Sequence, residues 1–223
     1  MGQQPSKVLK FVAHSCTVLR IALRHGWLPG ARYTNLRDVR RFDRLGFLDI
    51  DWRNYCFKMH LRAARETQPL VTVARDITDH RLLPRVLGEA EELLAWSEHV
   101  VVVPKSRHLT ACDIRRIPER FLIGYSVPTK YGSTRLDPRL FRRAVHLLGG
   151  RPDVQRDLAN RMPVVSFDCN RFTLDAAFGD YFDGETFRPH PMGGYRRCLT
   201  ASLRNINQIW RGYSPTENRY GPS

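Results

Sequence analysis

RAVHLLGGRPDVQRDLANRMPVVSFDCN, residues 143–170, is the stretch whose reading decides the fold. It consists of an apolar run closed by two glycines, a helix-like connector, and a second apolar run that breaks off at Phe167-Asp168-Cys169-Asn170. Strand, helix, strand is the βαβ pattern of a parallel sheet. Such strands are buried on both faces, so they read as continuous apolar runs and end where polar groups return at the carboxyl edge. Asp168 falls at that edge, where open α/β sheets and barrels alike collect ligands and reactive side chains.

Working outward, the same alternation recurs along the chain. VLKFVA (residues 8–13) delivers His14 and Ser15 to its carboxyl end, and residues 16–24 carry apolar positions at helical spacing with Gly26 as a stop. Residues 30–45 are arginine-rich and read as an irregular excursion. FLDIDW (47–52) resumes as a strand in which Asp49 and Asp51 share one face, because side chains alternate along a strand. The pair is either functional or a pair of solvated edge acids, since two buried carboxylates without partners are costly. Residues 57–66 read as a helix closed by Pro69, and LVTVA (70–74) as a strand ending at Arg75-Asp76. A long amphipathic helix spans 82–98, a strand 99–103 ends at Pro104-Lys105-Ser106, and a strand 121–123 runs into Gly124-Tyr125-Ser126-Val127 and a turn at Lys130-Tyr131-Gly132-Ser133. The remainder, 172–213, reads as an aromatic, acidic loop at 178–184, a Pro/Gly turn at 189–194 and a final helix at 195–210, with no obvious eighth strand. Residues 214–223 read as a frayed tail.

About seven β-then-α units in 223 residues fit a compact TIM-type α/β barrel in one domain, residues 1–213. A doubly wound sheet is the other option, but no G-x-G-x-x-G follows the first strand. The chain carries 36 Lys and Arg against 22 Asp and Glu, a formal charge of +14. Such a field attracts polyanions, nucleic acid foremost, and the scattered arginines indicate a charged folded surface instead of a basic tail. Five widely spaced cysteines with no C-x-x-C pairing read as free thiols of a reducing cytoplasm and give little support to a structural zinc site. No apolar run approaches the roughly 20 residues that cross a bilayer, and the opening MGQQPS matches only a loose myristoylation pattern.

If the barrel forms, the successive strand ends His14, Asp51, Asp76, Lys105, Ser126, Gly149-Gly150 and Asp168 converge on one mouth. Three acids there suit a division between nucleophile, general acid/base and hydrogen-bond acceptor, the kind of pairing that glycosyl transfer uses.

These residues resemble, in order and type, the strand ends of the queuine tRNA-ribosyltransferase superfamily. The closer likeness is to its shortened relatives in viruses and prokaryotes, which insert deazaguanine bases into DNA. An FDC motif there carries the nucleophilic aspartate, matched by Phe167-Asp168-Cys169; a glycine-containing turn precedes it, as Gly149-Gly150 does here. Ile123-Gly124-Tyr125-Ser126-Val127 is similar to the base-binding turn, and Asp76 to the aspartate that recognises the guanine-like edge. Asp51 is the nearest match to the general acid/base, with Asp49 as the fallback. His14, Lys105 and Asn170 complete the set of candidate substrate contacts. The chain departs from the pattern where Asp51-Trp52-Arg53-Asn54 replaces DSGG, where Lys105 replaces a glutamine, and in lacking the zinc subdomain of the tRNA enzymes. The resemblance therefore implies base exchange by double displacement, on DNA before tRNA, with a 7-deazaguanine base as second substrate. It implies no metal or cofactor, a cytoplasmic protein, and a homodimer as in the superfamily. Two other readings stand beside it: a glycosylase that removes a base and stops, and a non-catalytic nucleic-acid-binding protein on a degenerate barrel.

Overall fold

The computed structural model describes residues 8–129 and 133–215. Eight parallel strands close into a barrel in sequence order: β1 Leu9–Ala13, β2 Leu28–Arg32, β3 Phe47–Asp49, β4 Val71–Val73, β5 His99–Val102, β6 Leu122–Ser126, β7 Val145–Leu148 and β8 Val164–Asp168. β1 pairs with β8 through Phe11↔Asp168, so the acid of the opening stretch lies beside the middle of the first strand. The helices are α1 Cys16–Leu23, α2 Phe57–Thr67, α3 Leu83–Leu94, α4 Ala111–Arg115, α5 Pro152–Leu158, α6 Arg171–Ala177 and α7 Tyr195–Ile209. Among the described residues, only single 3-10 turns, Arg37–Val39 and Pro138–Leu140, take the helix place after β2 and β6. The fold is a TIM-type α/β barrel.

β2 corrects the expectation of an irregular excursion after Gly30. LPGAR is short and holds Pro29 and Gly30, residues that local propensity places in turns. Neighbours on both sides override that preference: Phe11↔Leu28 joins β2 to β1, and Gly30↔Phe47 joins it to β3. Gly46 donates its N–H to the Pro29 carbonyl at 2.8 Å. The VVSFD strand is consequently the eighth and not the seventh, and the ring closes without a strand from the C-terminal segment. The acidic aromatic loop is also more ordered than expected: β9 Asp180–Phe182 and β10 Phe187–Pro189 form an antiparallel hairpin. The long third helix stops at Leu94. Ser214 is buried, whereas the rest of the expected tail from 216 on, the opening MGQQPS and residues 130–132 lie outside the described residues.

Alternation along the strands sorts side chains into two layers. Phe11, Phe47 and His146 stand on β1, β3 and β7, which are not neighbours, yet their rings meet with centroids 5.0–5.9 Å apart. Non-adjacent strands of a closed barrel touch only through its interior, so these rings form an inner layer. Gly124 belongs to the same interior, where an added Cβ would lie within 3 Å of Val101, Val103 and Leu148. The outward residues pack under helices. Phe167 meets Trp27 edge-on at 5.5 Å and stacks on Trp210 at 4.7 Å, which seats the end of α7 against the β8 and β1 side of the barrel. Asn207 of α7 fastens that seat by accepting from Lys10 Nζ (2.7 Å) and Trp27 Nε1 (3.1 Å) and donating to the His25 carbonyl (2.8 Å).

Candidate active site at the carboxyl mouth

A cavity of about 800 Å³ opens at the carboxyl ends of the strands. Asp49 from β3, Asp76 after β4 and Asp168 from β8 all line it, so acids far apart in sequence share one space. Lys105, Ser126, Val127, Gly149, Gly150 and Asn170 line it too, together with Arg32, Trp52 and Arg135. His14 lies in an adjoining recess of about 500 Å³, which shares Arg32, Asp49 and Asn170 with the main cavity. Gly124 does not line the cavity; its role is to leave space in the barrel interior.

Asp51 is displaced from the position that strand alternation gave it. β3 ends at Asp49, and the Asp51 carboxylate accepts the backbone N–H groups of Arg53 (3.1 Å) and Asn54 (3.4 Å) in the following turn, away from the cavity lining. A short polar side chain that captures N–H groups two and three residues on stabilises a turn in place of a strand. Asp49, the fallback, is the β3 acid that faces the mouth.

The surroundings of the three acids differ. Asp168 is 6% exposed, and its Oδ1 accepts the Gly149 N–H at 2.9 Å. Asp49 Oδ1 accepts the N–H of Ile50 at 2.8 Å. Burial first, and then the negative charge of Asp168, raise the Asp49 carboxyl to about 7, against the opposing pull of the Ile50 N–H and Arg32. Burial also raises the Asp76 carboxyl, held back by Lys105, whose Nζ donates to Asp76 Oδ2 at 2.7 Å. Beside the nucleophile candidate, burial pushes the Cys169 thiol up to about 12, so it stays neutral and inert as a nucleophile.

Backbone geometry brings these groups to the mouth. Gly149 and Gly150 adopt φ of 60° and 91°, in the left-handed region. At Gly150 an added Cβ would also come within 2.3 Å of Val127, so β6 and β7 turn against each other only with glycine there. The Gln155 side chain, fully buried on α5, donates from Nε2 to the carbonyls of both Gly149 (2.7 Å) and Asp168 (2.8 Å). One amide thus clamps the ends of β7 and β8 together. Asn170 does the same between β8 and β1 by accepting the Ala13 N–H at 2.9 Å. Sequence reasoning missed Arg32 because it missed β2, and missed Gln155 and His146 because nothing in a local pattern marks them. Trp52, half exposed with the Arg53 guanidinium 4.9 Å over its ring, escaped notice as the end of a supposed strand.

The fold and this site define a parallel α/β barrel protein with a carboxylate-lined, cation-rimmed cavity at the strand ends. Its five cysteines are free thiols, and among the described residues no cluster of three or more His, Cys, Asp or Glu is set to hold a metal ion. No helix among them is long and apolar enough to cross a membrane. The chain belongs to a family of unknown function, DUF6610, whose family model matches residues 22–211. Comparison with curated proteins found no match.

Proposed function

We propose that the protein is a transglycosylase that exchanges guanine in nucleic acid, DNA before tRNA, for a 7-deazaguanine base. The observation that carries this reading is the pair Asp168 and Asp49 on one cavity, with the Asp49 carboxyl raised by burial and by the charge of Asp168. Two carboxyl groups in unlike surroundings supply a nucleophile and an acid from the same residue type. The motif order quoted from the sequence supports the substrate class.

In this mechanism the Asp168 carboxylate attacks C1′ of a guanosine nucleotide. The C1′–N9 bond breaks, Asp49 gives its proton to the departing guanine, and an ester links Asp168 to the sugar. The incoming deazaguanine loses its N9 proton to Asp49 as N9 attacks C1′ and expels the Asp168 carboxylate. Asp49 is left protonated for the next turnover. Asp76 accepts hydrogen bonds from the ring imino and exocyclic amino groups of the base, and Lys105 donates to its carbonyl oxygen. The target base has to leave its stack, which costs a few kcal/mol in a duplex. Trp52 offers a ring on which a base can stack, and Arg32 and Arg135 offer charge to the backbone. Such a protein works where nucleic acid is, in the cytoplasm of a prokaryotic or infected cell.

The test is incubation of guanine-containing DNA, and separately tRNA, with a labelled 7-deazaguanine base, followed by a denaturing gel. Expected are label in the polymer and a protein–nucleic acid adduct that Asp168→Asn abolishes while DNA binding survives. Guanine released without replacement means a glycosylase instead. Binding with neither release nor exchange means a nucleic-acid-binding protein.

A further inference from the structure

Beneath Asp168 the barrel interior holds a histidine that the chemistry above does not use. His146 of β7 is 0% exposed, its ring stacked on Phe47 with centroids 5.0 Å apart and tilted against Phe11 at 5.9 Å. Its Nδ1 lies 2.8 Å from Oγ of Ser166, which is 1% exposed. Its Nε2 makes no hydrogen bond and lies 3.6 Å from Asp168 Oδ1. Among the described residues, the titratable groups on the side of this ring are Asp168 from β8 and, nearer the mouth on β3, Asp49; β1 and β3 otherwise present the rings of Phe11 and Phe47.

An imidazole in such a slot has two neutral tautomers, and the surroundings distinguish them. With the proton on Nδ1, that nitrogen donates to Ser166 and the Nε2 lone pair points at a carboxylate oxygen, so two acceptors face each other in a buried position. With the proton on Nε2, the Ser166 hydroxyl donates to Nδ1 and a ring N–H faces the carboxylate. The second arrangement matches donors to acceptors at both nitrogens. We infer that His146 is a positioning residue that holds its proton on Nε2 toward Oδ1 of Asp168, so that the proton of the acid pair resides on Asp49. Oδ1 of Asp168 then faces donors from Gly149 and His146, whereas the hydrogen bond to Asp49 comes from its own chain neighbour, Ile50. Donors directed at one carboxylate of a close pair favour ionisation of that one and leave the proton on the other. The consequence for catalysis rests on the exchange reading above; the hydrogen-bond arrangement does not.

The test begins with protein labelled with ¹⁵N-histidine, in which His146 is assigned by its absence from His146→Gln. At neutral pH the Nε2–H tautomer is expected, with an Nε2 resonance that moves in Asp168→Asn. An Nδ1–H tautomer, or a resonance indifferent to Asp168→Asn, overturns the inference. In protein labelled with ¹³C-aspartate, His146→Phe, which keeps an aromatic ring and removes the donor, is expected to lower the Asp49 titration midpoint by about one unit, a tenfold change. His146→Gln, which retains an N–H, is expected to leave it near the wild-type value; no movement in His146→Phe again overturns the inference. If exchange occurs, His146→Phe slows kcat about tenfold at neutral pH with KM little changed, and His146→Gln recovers most of the loss. The expected tautomer without any exchange in the wild type sinks the transglycosylase reading and leaves the His146 arrangement standing.

Discussion

Asp49 holds its proton at a cost to the folded protein. Its carboxyl is raised to about 7 in the fold and returns to the usual carboxylate range when the chain unfolds. A raised folded value means that its contribution to stability is full below about pH 4 and is lost as pH rises toward 7, because the unfolded chain ionises first. Asp49→Asn, which needs no ionisation, should therefore match the wild type near pH 4 and exceed it at pH 7 and above by on the order of 3 kcal/mol, read from urea denaturation at several pH values. His60 works in the opposite direction. Burial lowers it from 6.5 to about 4, with Nε2 against Thr72 Oγ1 at 2.8 Å and Nδ1 3.2 Å from the Tyr55 hydroxyl. Its contribution is full above about 6.5 and is lost as pH falls toward 4. In Asp49→Asn the His60 slope is no longer opposed by that of Asp49, so stability should fall more steeply between pH 6.5 and 4 than in the wild type. The choice between Asp49 and Asp51 was not legible in the sequence. Alternation puts both on one face, and only the capture of the Arg53 and Asn54 N–H groups by Asp51 ends the strand before it.

The β7–α5–β8 unit was legible as three elements, because its apolar runs and its double glycine are local signals. Its internal clamp was not. Gln155 sits on a short helix with no pattern to mark it, yet its amide joins the carbonyls of Gly149 and Asp168. Gln155→Met keeps most of the volume and removes both hydrogen bonds, leaving carbonyls without their partner. It should cost about 2–3 kcal/mol in chemical denaturation and, on the proposed reading, should lower base exchange more than DNA binding. Gly150→Ala meets both the left-handed backbone and the Val127 side chain at 2.3 Å, so a loss of more than about 1 kcal/mol is expected, together with disturbance of the mouth. Gly149, with the same backbone hand and open space around it, should tolerate alanine better. Thermal denaturation of the two variants side by side checks the ranking.

For the barrel as a whole, closure and charge set the behaviour. α7 covers the seam near β8 and β1, and Trp210, 5% exposed against Phe167, is its largest anchor. Trp210→Ala should destabilise the fold by about 3–5 kcal/mol, as for other large aromatic deletions, and the loss should appear in the denaturation midpoint. On the proposed nucleic-acid reading, the charge of +14, with Arg32, Arg135 and Lys105 at the cavity, predicts DNA binding that weakens steeply and log-linearly with salt; Arg135→Ala should reduce that slope by about one. The amino-acid sequence by itself determined the alternation of strand and helix, the barrel class, the basic surface and the placing of acids at carboxyl strand ends. These follow from local periodicity and composition, which a linear pattern carries. Tertiary structure alone decided that LPGAR is a strand, that VVSFD closes the ring as the eighth, that Asp49 faces the mouth in place of Asp51, and that His146 and Gln155 stand behind Asp168. Each of these depends on register and contact between strands distant in the chain, and hydrogen-bond partners across a barrel leave no periodic trace in the order of residues.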